Sequence, residues 1–130
     1  MSTLLKMDDT TFHQLQLDTF NAFSKRMAEL ARNESTLVVL ADQFQELANH
    51  RDRVFDEAPE LVARFLTAAP QYAPEFPRDL LWYLGSACLH FMPDEEIDRF
   101  RELDEARQAA AQQDRTFNWR EAIATPTALQ

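Results

Sequence analysis

The sequence predicts an all-α fold, a compact bundle of five main helices followed by a short C-terminal helix. The chain has a single glycine, Gly85, in 130 residues, whereas the tight hairpins of β-rich folds favour glycine. Apolar residues recur every three or four positions in five segments, which is the period of an amphipathic helix. A hydrophobic fraction of 45% suffices for an ordinary core. We expect residues 1–130 to form one helical domain, with loose termini at 1–9 and 125–130.

The first half of the chain contains three of the predicted helices. Helix 1 is expected to run to about residue 33, with an N-cap at Asp9 or Thr10, whose side chains can accept a bond from an early backbone N–H. A second apolar stripe predicts a helix over 36–56. The third helix is expected to begin at Pro59, because proline is tolerated in the first turn, where its missing N–H has no intrahelical partner.

The second half contains the other two main helices and the short one. Three prolines within 70–77 indicate an extended connection. The helix over 78–91 has two apolar faces and is therefore expected near the centre of the bundle or against another chain. Acidic residues after Pro93 favour a helix start, and that helix is expected over 94–113. A capping box at its start predicts the short helix over 118–124.

Composition and charge exclude several classes of function. Phosphate-binding loops need several glycines, so one glycine argues against a nucleotide site. The formal net charge is −9 and the only lysines are Lys6 and Lys25. Because nucleic-acid binding depends on basic residues that neutralise phosphates, neither nucleic acid nor an anionic membrane surface is an expected partner. No apolar run is long enough to span a membrane.

Cys88, the only cysteine, rules out an internal disulfide and a multi-cysteine metal site. It lies on an apolar helix face, which favours a small core residue over a nucleophile. The N-terminus lacks the features of a signal peptide. We therefore expect a cytoplasmic protein, and the preference for arginine over lysine suggests a bacterial one.

No set of residues predicts a catalytic, cofactor or metal site. Asp42, Glu46 and His50 lie on successive turns of one helix face and could share a metal ion, but that face lies opposite the apolar stripe and should point to water. The tripeptide His50-Arg51-Asp52 also occurs in kinase catalytic loops, yet the chain has none of the other kinase motifs. We expect no cofactor, no bound metal and, on balance, no enzymatic activity.

Two surfaces are predicted for interaction. The second apolar face of the helix over 78–91 carries Trp82, Gly85, Ser86 and Leu89, where small residues would let another helix approach, and this predicts a homodimer. The helix over 94–113 carries an acidic cluster that could either be solvated surface or dock a basic partner. The candidate docking residues are Asp94, Glu95, Glu96, Asp98, Glu102 and Glu105.

The sequence alone does not define the function. The preferred hypothesis is a non-enzymatic helical module for protein–protein interaction or regulation. This module is expected to form a homodimer, and a second, different protein is a possible further partner. The alternative is a helical bundle that binds a small ligand or a metal between its helices. A broad apolar surface would favour the first hypothesis, and unpaired polar residues clustered inside the bundle would favour the second.

Overall fold

A computed structural model describes residues 6–125 of the chain, and this part is built from helices without any β-strand. The all-α prediction is confirmed, as are five main helices and a short C-terminal one. None of the described helices is long and apolar enough to cross a membrane. The α-helices are α1 (Asp9–Asn33), α2 (Val38–Ala48), α3 (Val54–Ala68), α4 (Arg78–Leu84), α5 (Asp94–Gln112) and α6 (Trp119–Ala124).

The chain divides into two compact units. The central unit is Gln16–Met92, and the terminal unit combines the chain before Gln16 with the chain from Pro93 onward. Helix α1 therefore contributes its first turns to the terminal unit and the rest to the central unit. That residues 1–130 form a single domain remains a prediction.

The core of the central unit is a cluster of phenylalanine rings from several helices. Phe44 of α2 lies 5.6 Å from Phe20 and 5.8 Å from Phe65, measured between ring centroids. Phe23 lies 4.5 Å from Phe76. All five rings are almost fully buried. Aromatic rings at these distances add to the stabilisation from burial, so this cluster holds α1, α2 and α3 together.

The helix predicted over 36–56 is shorter than its apolar pattern indicated. Helix α2 ends at Ala48, and a single 3-10 turn at Arg51–Arg53 leads into α3, which begins at Val54. Pro59 thus lies inside α3 and not at its start. The prediction was wrong because the apolar periodicity continues across this 3-10 turn, and no glycine marks the turn in the sequence.

The helix predicted over 78–91 is interrupted at its glycine. Gly85 has φ 66° and ψ −153°, which ends α4, and Ser86–Phe91 continues as a 3-10 helix. Side chains before and after Gly85 therefore do not follow one helical face. The preceding connection also differs from the prediction, because Pro70–Glu75 forms a 3-10 helix and is not extended.

In the terminal unit, α5 and α6 match their predicted positions. The side chain of Asn118 accepts a hydrogen bond from the backbone N–H of Glu121 at 3.1 Å, as a capping box requires. At the start of α1 the cap is Asp8, which accepts from the N–H of Thr11 at 2.9 Å, so Asp9 and Thr10 are not the cap. This bond lowers the pKa of Asp8.

The described part of the N-terminal segment is anchored, although the sequence predicted a loose arm. Met7 is buried and its carbonyl accepts a hydrogen bond from Arg107 of α5 at 2.8 Å. Lys6 forms an ion pair with Asp114 at 2.7 Å. Positions 1–5 and 126–130 of the predicted loose termini lie outside the described residues.

Candidate binding groove

The central unit contains an open, mostly apolar groove with a volume of about 910 Å³. Helix α3 provides most of its lining, and α2, the end of α4 and the 3-10 helix after it provide the rest. The lining residues are Leu40, Phe55, Asp56, Pro59, Glu60, Ala63, Arg64, Thr67, Ala68, Leu84, Ser86 and Ala87. The volume lies in the range of about 300–1,000 Å³ that is typical of ligand-binding sites.

Two parallel rows of side chains on α3 give the groove its character. Residues four positions apart on a helix lie one above the other on the same face. The floor row is Phe55, Pro59, Ala63 and Thr67, and it is apolar except at its end. The rim row is Asp56, Glu60, Arg64 and Ala68, so its acids lie towards the N-terminus of α3 and its base towards the C-terminus.

The three ionic side chains of the rim row are solvent-exposed and form no ion pair or hydrogen bond with any other residue that the structure describes. Glu60 and Arg64 remain unpaired although they are one turn apart. A neighbouring pair at the start of α3 behaves differently, with Arg53 in the preceding 3-10 turn and Glu57 in the first turn of the helix. Arg53 donates to Glu57 at 2.7 Å, and this bond lowers the pKa of Glu57. The rim charges are thus available to a partner.

Ser86, which lines the groove, and Gly85 before it have an unusual backbone conformation. Both residues have positive φ, 50° at Ser86 and 66° at Gly85. The left-handed region is costly for a residue with a Cβ, and such strain is often found at binding sites. The strained Ser86 is exposed and lines the groove together with Ala87.

Beneath this part of the groove wall lies Cys88, whose side chain is completely buried. Its thiol donates to the carbonyl oxygen of Pro59 at 3.4 Å. Burial raises the pKa of Cys88 to about 11, which keeps the thiol protonated at neutral pH. Cys88 therefore packs as a core residue against α3 and does not have the character of a nucleophile.

The predicted interface residues are separated by the break at Gly85. Ser86 lines the groove, whereas Trp82 and Leu89 are half-buried and are not among its lining residues. The prediction that the four interface residues share one face requires a regular helix through all four positions. The positive φ of Gly85 interrupts that helix. The structure thus keeps Ser86 at the candidate site and does not bring the four residues onto one helical face.

The residues weighed for metal binding are exposed. Asp42, Glu46 and His50 all lie on the solvent side of α2 or just after it, with Glu46 and His50 3.2 Å apart. Within residues 6–125, no three His, Cys, Asp or Glu side chains are grouped so that they could hold a metal ion.

The acidic cluster on α5 is partly neutralised by its own helix. Asp98 is bonded to Arg101 at 2.7 Å. Glu96 is half-buried and has interactions of its own. Asp94, Glu95, Glu102 and Glu105 are exposed to solvent. Whether a basic partner docks on this face remains a prediction.

The sequence does not predict the floor row on α3, because Pro59 indicates a later start for the third helix. Phe55 therefore falls within the helix predicted over 36–56. The available signal was the spacing of Asp56, Glu60 and Arg64, which marks a charged row opposite the buried stripe of Leu61 and Phe65.

These features define an all-α protein whose candidate site is an apolar groove, flanked by charges that have no partner within residues 6–125. Residues 7–128 match the PA2817-like family, and the chain belongs to that family. No curated protein and no solved structure matches the chain.

Proposed function

We propose that this protein is a non-enzymatic module for protein–protein interaction, and that the groove along α3 is its binding surface. One observation carries the proposal. Asp56, Glu60 and Arg64 flank an apolar floor and have no partner among the described residues. Protein interfaces combine an apolar centre with a polar rim in this way. We place the module in the cytoplasm, because thiols are kept reduced there and the single cysteine of this chain is a free thiol.

The shape of the groove also favours a protein partner. From Phe55 to Ala68 the groove follows α3 for about 20 Å, at about 1.5 Å per residue. Exposed side chains border it along that length. A long open groove of this kind suits a helix with an apolar face. Small ligands, by contrast, have most of their surface enclosed when they bind.

A small apolar ligand is the second candidate, because the volume of about 910 Å³ would accommodate one. Such a ligand would leave the rim charges without a role unless it carried charges of its own. Native mass spectrometry of the purified protein separates the two candidates. A bound small molecule would add a fixed mass to the chain.

The experiment that tests the proposal is photo-crosslinking in living cells. A photoreactive amino acid replaces Ala68, which is exposed and lines the groove. The matched control carries the same amino acid at Ala22, which is exposed on α1 and lies outside the groove. We expect protein adducts from position 68 and none of the same mass from position 22. Absence of any protein adduct specific to position 68 would refute the proposal.

A further inference from the structure

We propose that the partner in this groove is a second copy of the same chain, which packs its own α3 antiparallel into the groove about a two-fold axis. This inference rests on the proposed function and names its partner. It follows from three features of α3 and the groove. These are the order of charges along the rim row, the small residues at the middle of the groove, and the spacing of four residues within each row.

The rim row is complementary to itself when it is reversed. Its acids, Asp56 and Glu60, come first and its base, Arg64, follows. A two-fold axis that passes α3 midway between Glu60 and Arg64 brings Glu60 of one chain opposite the partner's Arg64. The same axis brings Arg64 opposite the partner's Glu60, since a two-fold interface uses each contact twice. All four charged groups then gain a partner that none of the described residues of their own chain supplies.

The middle of the groove permits two helices to approach closely. Ala63 lies on the floor between the two charged positions, and Ala68 and Ala87 line the groove further along. Short side chains at a crossing point reduce the distance between helix axes. Both rows on α3 connect residues four apart, and helices that pack through such rows cross at about 50°. Phe55 and Leu84 contribute larger apolar side chains to the lining of the groove.

Charge complementarity also favours a second copy over an unrelated basic protein. A partner with basic residues alone would satisfy Asp56 and Glu60 but would repel Arg64. The chain has a net charge of −9, so two copies repel each other at long range and need local pairs of opposite sign. The antiparallel register supplies two Glu60–Arg64 pairs between the chains.

The test combines light scattering with charge reversal in the purified full-length protein. The wild type should have the mass of a dimer at micromolar concentration. Glu60→Arg places arginine opposite the partner's Arg64 twice, and Arg64→Glu places two glutamates opposite each other. Each variant alone should raise the dimer dissociation constant at least about tenfold. Glu29→Arg, at an exposed α1 position outside the groove, makes the same change of net charge as Glu60→Arg and should leave the constant unchanged.

The decisive step is to mix the two variants. In the mixed dimer, each arginine of the Glu60→Arg chain faces a glutamate of the Arg64→Glu chain, so a heterodimer should form to within about threefold of the wild-type affinity. A pair within one chain cannot produce this rescue. Circular dichroism confirms that each variant remains folded.

The outcomes are distinct. A wild type that is a monomer at high micromolar concentration overturns the second-copy partner, and so does a dimer that survives both reversals or a mixture that fails to associate. None of these results removes a protein adduct at position 68, so the proposed function is judged separately. Identification of that adduct as another protein would overturn the second-copy partner while supporting the proposed function.

Discussion

The guanidinium of Arg107 lies over the ring of Phe12, 4.4 Å from its centroid, within the terminal unit. Arg107 is only 3% exposed, although it is charged. Its nitrogens donate to the Met7 carbonyl at 2.8 Å, to Asp9 at 3.0 Å and to Asp104 at 2.7 Å. A buried cation is tolerated when it is paired and hydrogen-bonded, and each of the three guanidinium nitrogens of Arg107 donates a hydrogen bond.

We expect Arg107→Ala to lower the free energy of unfolding by about 2–4 kcal/mol, because it leaves the Met7 carbonyl buried without its donor and removes the packing on Phe12. Arg107→Lys should be almost as costly, since an ammonium cannot reach three acceptors and stack on a ring. Urea unfolding measures both. The control is Arg101→Ala, an exposed pair with Asp98 that should cost about 1 kcal/mol or less. Equal losses for Arg107→Ala and Arg101→Ala would contradict the role assigned to Arg107.

Gly85 and Ser86, the two consecutive residues with positive φ next to the groove, should differ in how far a change of side chain alters stability. Gly85→Ala should lower stability by about 1–3 kcal/mol, because its φ and ψ belong to a region that only glycine occupies readily. The nearest atom to an added Cβ is the Trp82 carbonyl oxygen at 3.9 Å, so the cost is conformational and not a clash. Ser86→Gly should leave stability nearly unchanged. Glycine removes the backbone strain at φ 50°, and this gain offsets the larger conformational entropy that glycine gives the unfolded chain. Thermal unfolding measures both variants, and a harmless Gly85→Ala would refute the account.

A buried polar pair in the central unit predicts a pH-dependent variant. Gln16 is fully buried and donates to the Asp79 carboxylate at 3.1 Å, while its Oε1 has no partner among the described residues. Gln16→Glu would place two buried carboxylates side by side, which should cost about 3 kcal/mol or more at neutral pH. Acidification to about pH 4 protonates one of them and should recover part of the loss. Gln71→Glu, at an exposed position, should show neither effect in the same thermal scans.

Tyr72 predicts how stability changes under alkaline conditions. Its hydroxyl donates to the carboxylate of Glu34, and this bond, with burial, raises the pKa of Tyr72. The contribution is fully present below the unfolded pKa of about 10 and is lost as the pH rises through the higher folded value. Tyr72→Phe should therefore remove part of the fall in stability above about pH 9, whereas Tyr83→Phe should retain it. Urea unfolding over that pH range is the measurement, and identical profiles for wild type and Tyr72→Phe would contradict the assignment.

The sequence predicted those elements whose ends are marked by local chemistry. Helix α6 begins where Asn118 can cap it, and α5 begins after Pro93 with acidic residues in its first turn. These signals involve neighbouring residues and can be recognised without tertiary contacts. The helix class itself followed from periodicity and from the scarcity of glycine.

The missed boundaries depend on tertiary packing. The turn at Arg51–Arg53 contains no glycine or proline and is fixed by the packing of α2 against α3. Gly85 was interpreted as a small contact residue, whereas its backbone conformation ends α4. The groove depends on both boundaries, because its floor begins at Phe55 and its wall begins at Ser86. The sequence therefore predicted one wall residue, Ser86, and missed the floor.

Because Cys88 is buried under the groove wall, the reactivity of its thiol can report local opening of the structure. A protonated thiol with no exposed surface can react with an alkylating reagent only when the 3-10 helix moves away from α3. The rate of labelling relative to that of an unfolded thiol then measures how often this contact opens. Because the chain contains no other cysteine, the rate reports on this one contact. A partner bound in the groove should hold the 3-10 helix against α3 and slow the alkylation of Cys88. Binding to the groove could therefore be followed without attaching a probe to the protein.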